Sequence, residues 1–191
     1  MINTNVNANL KYYILAALFA AVTAVCSWIS VPLPFTPVPV NLATLAVFIS
    51  GGLLGPKYGL MAECVYVLCG GFGLPVFAGF RGGPSVLAGP TGGFIVGYLV
   101  CTLVVGLLVN KIYKAGPSGT RRMVVLVLSL AAGLFCCYAL GMVWFMYLTG
   151  SGLAAGLMSC VLPFLIGDGL KIALAAVLID RLRRYNVSNI I

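Results

Sequence analysis

Charge is scarce in this chain. Of its 191 residues only 7% are charged: eleven Lys or Arg, three Asp or Glu, and no histidine. Soluble domains carry about 25% charged residues, so a water-soluble fold is excluded. The absence of histidine removes the commonest metal ligand and acid–base group. The seven cysteines (Cys26, Cys64, Cys69, Cys101, Cys136, Cys137 and Cys160) form no C-x-x-C, so neither a zinc nor a haem site is expected. No G-x-x-x-x-G-K-[ST] loop occurs, and any ATP dependence must come from partner subunits. With three isolated carboxylates there is no recognisable acid–base pair for an enzyme. The net charge of +8 invites a nucleic-acid reading. However, the basic residues are scattered at the ends of apolar runs, with no basic patch interleaved with aromatics, so nucleic acid is excluded as a partner.

What is present is apolar. Hydrophobic residues make up 62% of the chain and the mean hydropathy is +1.13. The expected fold is an all-α integral membrane protein, one domain over residues 1–191, with about six spans at roughly 20 residues each. The spans are Tyr12–Ile29, Val40–Leu54, Tyr58–Cys69, Phe94–Val109, Met123–Leu148 and Leu162–Ile179, the last preceded by a short helix at Gly152–Cys160. The first run has no A-x-A-like cleavage site after a short apolar core, so it is expected to be retained as a helix.

Six spans place nine basic residues on one side: Lys11, Lys57, Lys111, Lys114, Arg121, Arg122, Arg181, Arg183 and Arg184. Arg81 alone is on the other side, and Lys171 is within the membrane. The positive-inside rule then places both termini in the cytoplasm of a multi-pass cell-membrane protein.

The outer connections are unusual. Four prolines between Pro32 and Pro39 exclude helix and favour a stiff extended segment, either a plain connector or a lid. The long Gly/Pro-rich extracellular loop between the third and fourth spans, Gly70–Gly93, interleaves glycines with large apolar residues. It is too apolar for a solvated loop, and non-helical backbone at membrane depth must be buried or line a cavity. It is therefore expected to fold into the outer half of the bundle. Arg81 in that loop either contacts lipid phosphate or draws an anionic solute to the outer mouth. In the first span, Ala16, Ala20 and Ala24, with Ala17 and Ala21, form small-x-x-x-small stripes that mark a helix–helix contact, internal or with another subunit. Glu63 is expected to snorkel to the inner interface or pair with Lys57, and Asp180 to be a solvated partner of its neighbouring arginines.

Asp168 and Lys171 stand apart. They lie inside the last span, where a charge costs on the order of 2.5–3.5 kcal/mol even on the mildest scale. Their i, i+3 spacing puts them on one face, where each partly neutralises the other. Two readings stand: a structural ion pair, or contacts for a compact ligand carrying both N–H and C=O, with Gly167 and Gly169 leaving room beside Asp168.

These residues resemble the BioY family, the biotin-specific S components of energy-coupling factor (ECF) transporters. The likeness rests on Gly-Leu-Pro-Val-Phe-Ala-Gly at 73–79, then Gly82-Gly83 and Gly89-Pro90-Thr91-Gly92-Gly93, and on Pro163-Phe164 … Gly167-Asp168 … Lys171. It implies a subunit that binds and takes up biotin, without cofactor, together with a transmembrane T subunit and two ABC ATPases. Ala16, Ala20 and Ala24 resemble the stripe by which such subunits dock on the T subunit. By the same resemblance Asp168 and Lys171 are polar ligand contacts, and the loop 70–93, with Gly73, Leu74, Val76, Phe77 and Gly82, walls the site. The chemistry of biotin then matches the pair to the ureido ring and loop N–H groups or Arg81, which itself has no counterpart in the family pattern, to the carboxylate. An S component for another vitamin and a self-sufficient facilitator are the alternatives.

Overall fold

The structure is a computed structural model describing residues 4–34, 36–116 and 119–184. The first three and last seven residues, to which the expected placement of the termini refers, lie outside this range, as do Phe35, Pro117 and Ser118.

The described chain is helical apart from one two-stranded antiparallel ribbon: α1 Thr4–Trp28, β1 Ser30–Leu33, β2 Thr36–Asn41, α2 Ala43–Gly71, α3 Pro84–Leu87, α4 Gly92–Ala115, α5 Gly119–Thr149, α6 Leu153–Cys160 and α7 Leu165–Arg184. Four helices, α1, α2, α4 and α5, contain stretches long and apolar enough to cross a membrane. A fifth such unit is α6 with α7, bent by 53° at a short break. The proline-rich connection is the ribbon, whose alternate prolines sit where a two-stranded edge tolerates a missing N–H.

Within α2, Gly55 has φ 76° and ψ −175°, outside the helical region and open to glycine without strain. The element is a hairpin of two arms, 43–54 and 56–71. Ser50 Oγ donates to Glu63 Oε1 across 2.9 Å, whereas in a straight helix that separation would be about 20 Å. Pro56 opens the second arm, where its missing N–H removes no helical bond. Gly106 of α4 seats the turn closely: a Cβ there would stand 2.5 Å from Pro56 N.

Helix α4 packs against α2 and α5, α1 lies on α2, and α7 contacts both α2 and α5. The alanine stripes of α1 divide between its two faces. Ala16, Ala20 and Ala24 are buried inside the chain, and it is Ala17 and Ala21 that face outward. The cause is polar: Thr23 and Ser27 share that face and bond to Glu63 (3.2 Å) and Tyr66 (3.1 Å) on the second arm of α2.

The basic residues gather at one end. There Arg122 and Arg184 pair with Asp180 at 2.8 and 2.7 Å, and Arg183 donates to Gly52 O (2.8 Å) and Asn110 Oδ1 (2.9 Å). Asp180 is therefore buried among arginines, not solvated. Glu63 also departs from expectation. It does not snorkel but is wholly buried, and among the described residues no ion pair joins it to Lys57, whose ammonium lies over the Tyr58 ring. The opposite end carries the ribbon, the loop 72–91 and α6.

Candidate functional site

The first two turns of α7 bring Asp168 and Lys171 against α2, α5 and the end of β2. Both are buried, at 2% and 7% exposure, and Lys171 Nζ lies 2.7 Å from Asp168 Oδ1. The pair is not closed on itself. Thr44 Oγ1 donates to Asp168 Oδ1 at 3.0 Å, and the Tyr138 hydroxyl donates a short bond to Oδ2. Lys171 Nζ also donates to Asn41 O (2.5 Å) and Thr44 Oγ1 (3.1 Å).

Counting hydrogens separates the two charges. An ammonium has three, and Lys171 directs one each to Asp168, Thr44 and Asn41. A carboxylate offers about four acceptor positions, of which Thr44, Lys171 and Tyr138 occupy three. The spare capacity is on Oδ2. Lys171 thus holds the carboxylate in place, and Asp168 retains the capacity to receive one more donor.

That carboxylate borders a cavity. Its apolar walls include Val38, Phe77, Phe94, Ile95 and Phe164, and its polar groups Ser27, Asn41, Thr44, Tyr66, Tyr98 and Tyr138. Counted as space for the centre of a water molecule it measures about 60 Å³, several times the roughly 10–15 Å³ one water needs. A dry apolar wall with a few convergent polar groups is the usual form of a small-molecule site.

The loop 72–91 closes one side. Phe77 N–H donates to Arg81 O at 2.9 Å, making a tight turn through Gly79 (φ 70°) and Phe80 (φ 55°). Phe80 is the one described non-glycine residue with positive φ, and it is held by stacking on Trp28 with centroids 5.0 Å apart. Phe77 fills the space above Gly70, where any Cβ would collide with its ring. Both tryptophans of the chain tie this loop down: Trp28 Nε1 donates to Pro75 O at 2.8 Å and Trp144 Nε1 to Gly89 O at 3.0 Å. The loop is anchored from α1 and from α5.

Of the residues expected at the site, Asp168, Lys171, Phe77 and Arg81 line the cavity, Arg81 from an exposed position. Gly73, Leu74, Val76 and Gly82 do not line it. Leu74 is exposed, Val76 packs on the core, and Gly82 sits so close to Leu74 O that a Cβ would be 2.2 Å from it. These support the loop that carries Phe77 and Arg81. Sequence reasoning missed Thr44, Asn41 and Tyr138, the shell around the pair. The available signal was weak: hydroxyl and amide side chains in or beside apolar runs.

Three comparisons bear on this geometry. The sequence profile of the BioY family matches residues 2–187. The biotin transporter BioY of Thermotoga maritima is 37% identical over 181 residues, covering 93% of this chain and 99% of that protein. The probable biotin transporter BioY of Pyrococcus horikoshii is 37% identical over 169 residues, covering 88% and 94%. Among solved structures, the S-component for biotin from an ECF-type ABC transporter superposes with a TM-score of 0.83 at 28% identity, covering 96% of this chain and 95% of that one. The chain belongs to the BioY family.

Proposed function

We propose that this chain captures biotin in the cavity bordered by Asp168 and serves its uptake as the S component of an ECF-type ABC transporter. One observation carries the reading: a buried, fully positioned carboxylate with one acceptor position left, at the wall of a cavity that combines aromatic and aliphatic surface with hydroxyl and amide groups. Biotin presents a ureido ring with two N–H donors and one C=O, an apolar sulfur ring and chain, and a carboxylate. Asp168 Oδ2 accepts from a ureido N–H. Lys171 orients that carboxylate and reaches the ureido C=O only by releasing one of its present acceptors. Phe77 and the facing aromatics cover the ring and chain. Arg81 at the mouth faces the carboxylate; with Lys171 it gives two cations against Asp168, a surplus of one suited to a monoanion.

Counting the two arms of α2 separately and α6–α7 as one broken span, the chain crosses the membrane six times. The basic end then lies in the cytoplasm with both termini, and the loop 72–91 is extracellular. A transmembrane T subunit and two ABC ATPases supply the energy. Docking on the T subunit would use the face that α1 leaves outward, since Ala16, Ala20 and Ala24 are covered by α2.

Titrating the detergent-purified chain with labelled biotin, followed by displacement with a panel of other vitamins, tests the ligand. Saturable binding displaced only by biotin supports the reading; tighter displacement by another vitamin overturns it. Biotin flux into vesicles holding this chain alone, without ATP, would overturn the need for the ATPases while leaving the ligand intact.

A further inference from the structure

Glu63 is a carboxyl group that ligand capture does not use. It is wholly buried between α1 and the two arms of α2. Thr23 Oγ1 lies 3.2 Å and Ser50 Oγ 2.9 Å from its Oε1, and its Oε2 has no hydrogen-bond partner. The ion pairs of the described residues are at Asp168 and Asp180, and none reaches Glu63. The titratable groups facing it are Cys64 and Tyr66 on its own arm and Cys101 on α4. From α1 and the first arm of α2 it meets only the hydroxyls of Thr23 and Ser50. None of these groups is a cation.

The two hydroxyls leave an ionised carboxylate half served: both contact Oε1 and neither reaches Oε2. Thr23 Oγ1 is also 3.0 Å from Phe19 O, and Ser50 Oγ is 3.0 Å from Val47 O. Each hydroxyl has one hydrogen, so two hydrogens face four contacts. A proton on Glu63 provides a third, donated from Oε1 to one of the two hydroxyls. It also turns the orphaned Oε2 from part of a buried anion into a carbonyl oxygen, which costs far less to leave unpaired. We propose that Glu63 is a proton-binding site inside the bundle, and that its proton keeps α1 seated on the α2 hairpin beneath the ligand cavity. The next rung of the same interface, Tyr66 with Ser27 at 3.1 Å, lines that cavity, so the proton site sits directly under its floor.

The test needs no biotin. Infrared difference spectra of the intact purified chain minus Glu63→Gln at neutral pH should contain the C=O stretch of a protonated carboxylic acid. Glu63→Asp, which keeps the acid, should shift that band without abolishing it. Only ionised-carboxylate bands in both differences would overturn the proposal. A proton that helps to seat α1 contributes stability at low pH, and that contribution is lost as pH rises. The wild-type unfolding temperature should therefore fall on alkalinisation more than that of Glu63→Gln, and superimposable pH profiles would also overturn it. Stabilisation of the wild type by sodium over choline, absent in Glu63→Gln and without an acid band, would assign a metal cation instead and sink the proton site.

Discussion

Helix α7 carries an acid–base cluster at each end, and the two differ in what they leave unused. At its start, Asp168 meets one ammonium and two hydroxyls, each on a fixed vector, with apolar walls beyond. At its end, Asp180 meets Arg122, Arg184 and the Tyr113 hydroxyl, with Arg181 and Arg183 nearby. Each carboxylate receives three donors and keeps one acceptor position. The second cluster holds a surplus of arginines open to water, the Arg184 side chain being 54% exposed. In the first, the single cation is used up and the carboxylate borders the cavity walled by Phe77, Phe94 and Phe164. The cation balance and the surroundings make the difference, not the presence of an ion pair.

The largest effect that separates the clusters should follow Lys171→Met. Asp168 would keep Thr44 and Tyr138 but lose its only cation, and breaking a buried pair by removing one partner costs about 3–5 kcal/mol. The expected outcome is a steep fall in the unfolding temperature of the purified chain and no measurable biotin binding. An unchanged unfolding temperature would mean that Lys171 does not compensate Asp168.

Asp168→Asn is milder for the fold and more telling for the ligand. Asn keeps an oxygen for Lys171 and Thr44, but its NH₂ replaces the acceptor at Oδ2. Biotin affinity should fall at least tenfold, about 1.4 kcal/mol or more, in a titration with labelled biotin. Undiminished affinity would remove Asp168 from ureido recognition. Asp180→Asn should behave oppositely. Arg184 is exposed and can turn to water, whereas Arg122 is largely buried, so the unfolding temperature should fall, but with biotin affinity unchanged. A tenfold loss of affinity there would erase the distinction between the two ends of the helix.

How much of this was legible in the sequence follows from the same physics. The charged pair was visible because a charge stands out against any apolar run, and the long apolar helices because hydropathy sets a length. The break at Gly55-Pro56 was visible as turn chemistry, although the arms are so short that only contacts such as Ser50–Glu63 establish the hairpin. The shell around the pair was not legible. Thr44 and Tyr138 come from elements 124 and 30 residues away from Asp168, and a hydroxyl in an apolar span carries no mark of its partner. The neighbour of the alanine stripe was not legible for a related reason. Small residues signal close approach, but only Thr23 and Ser27, with their bonds to α2, decide which neighbour approaches.

Arg81 gives the smallest effect and the sharpest contrast with the arginines at the other end. It is exposed, its Nε donates only to Ala78 O at 3.2 Å, and it lines the cavity from the mouth. A charge so placed is screened by water and salt and contributes less to bound-state energy than to the approach of an oppositely charged ligand. Arg81→Gln should therefore lower the association rate of biotin at low ionic strength and leave the dissociation rate nearly unchanged, and the difference from wild type should shrink as salt is raised past the point where the Debye length falls to about 8 Å. Stopped-flow binding with labelled biotin measures both rates. A slower association that persists unchanged at high salt would point to the loop turn that Arg81 helps to close, and not to its charge. A faster dissociation would make the guanidinium a direct partner of the bound carboxylate, in which case the mouth as well as the floor of the cavity holds the ligand.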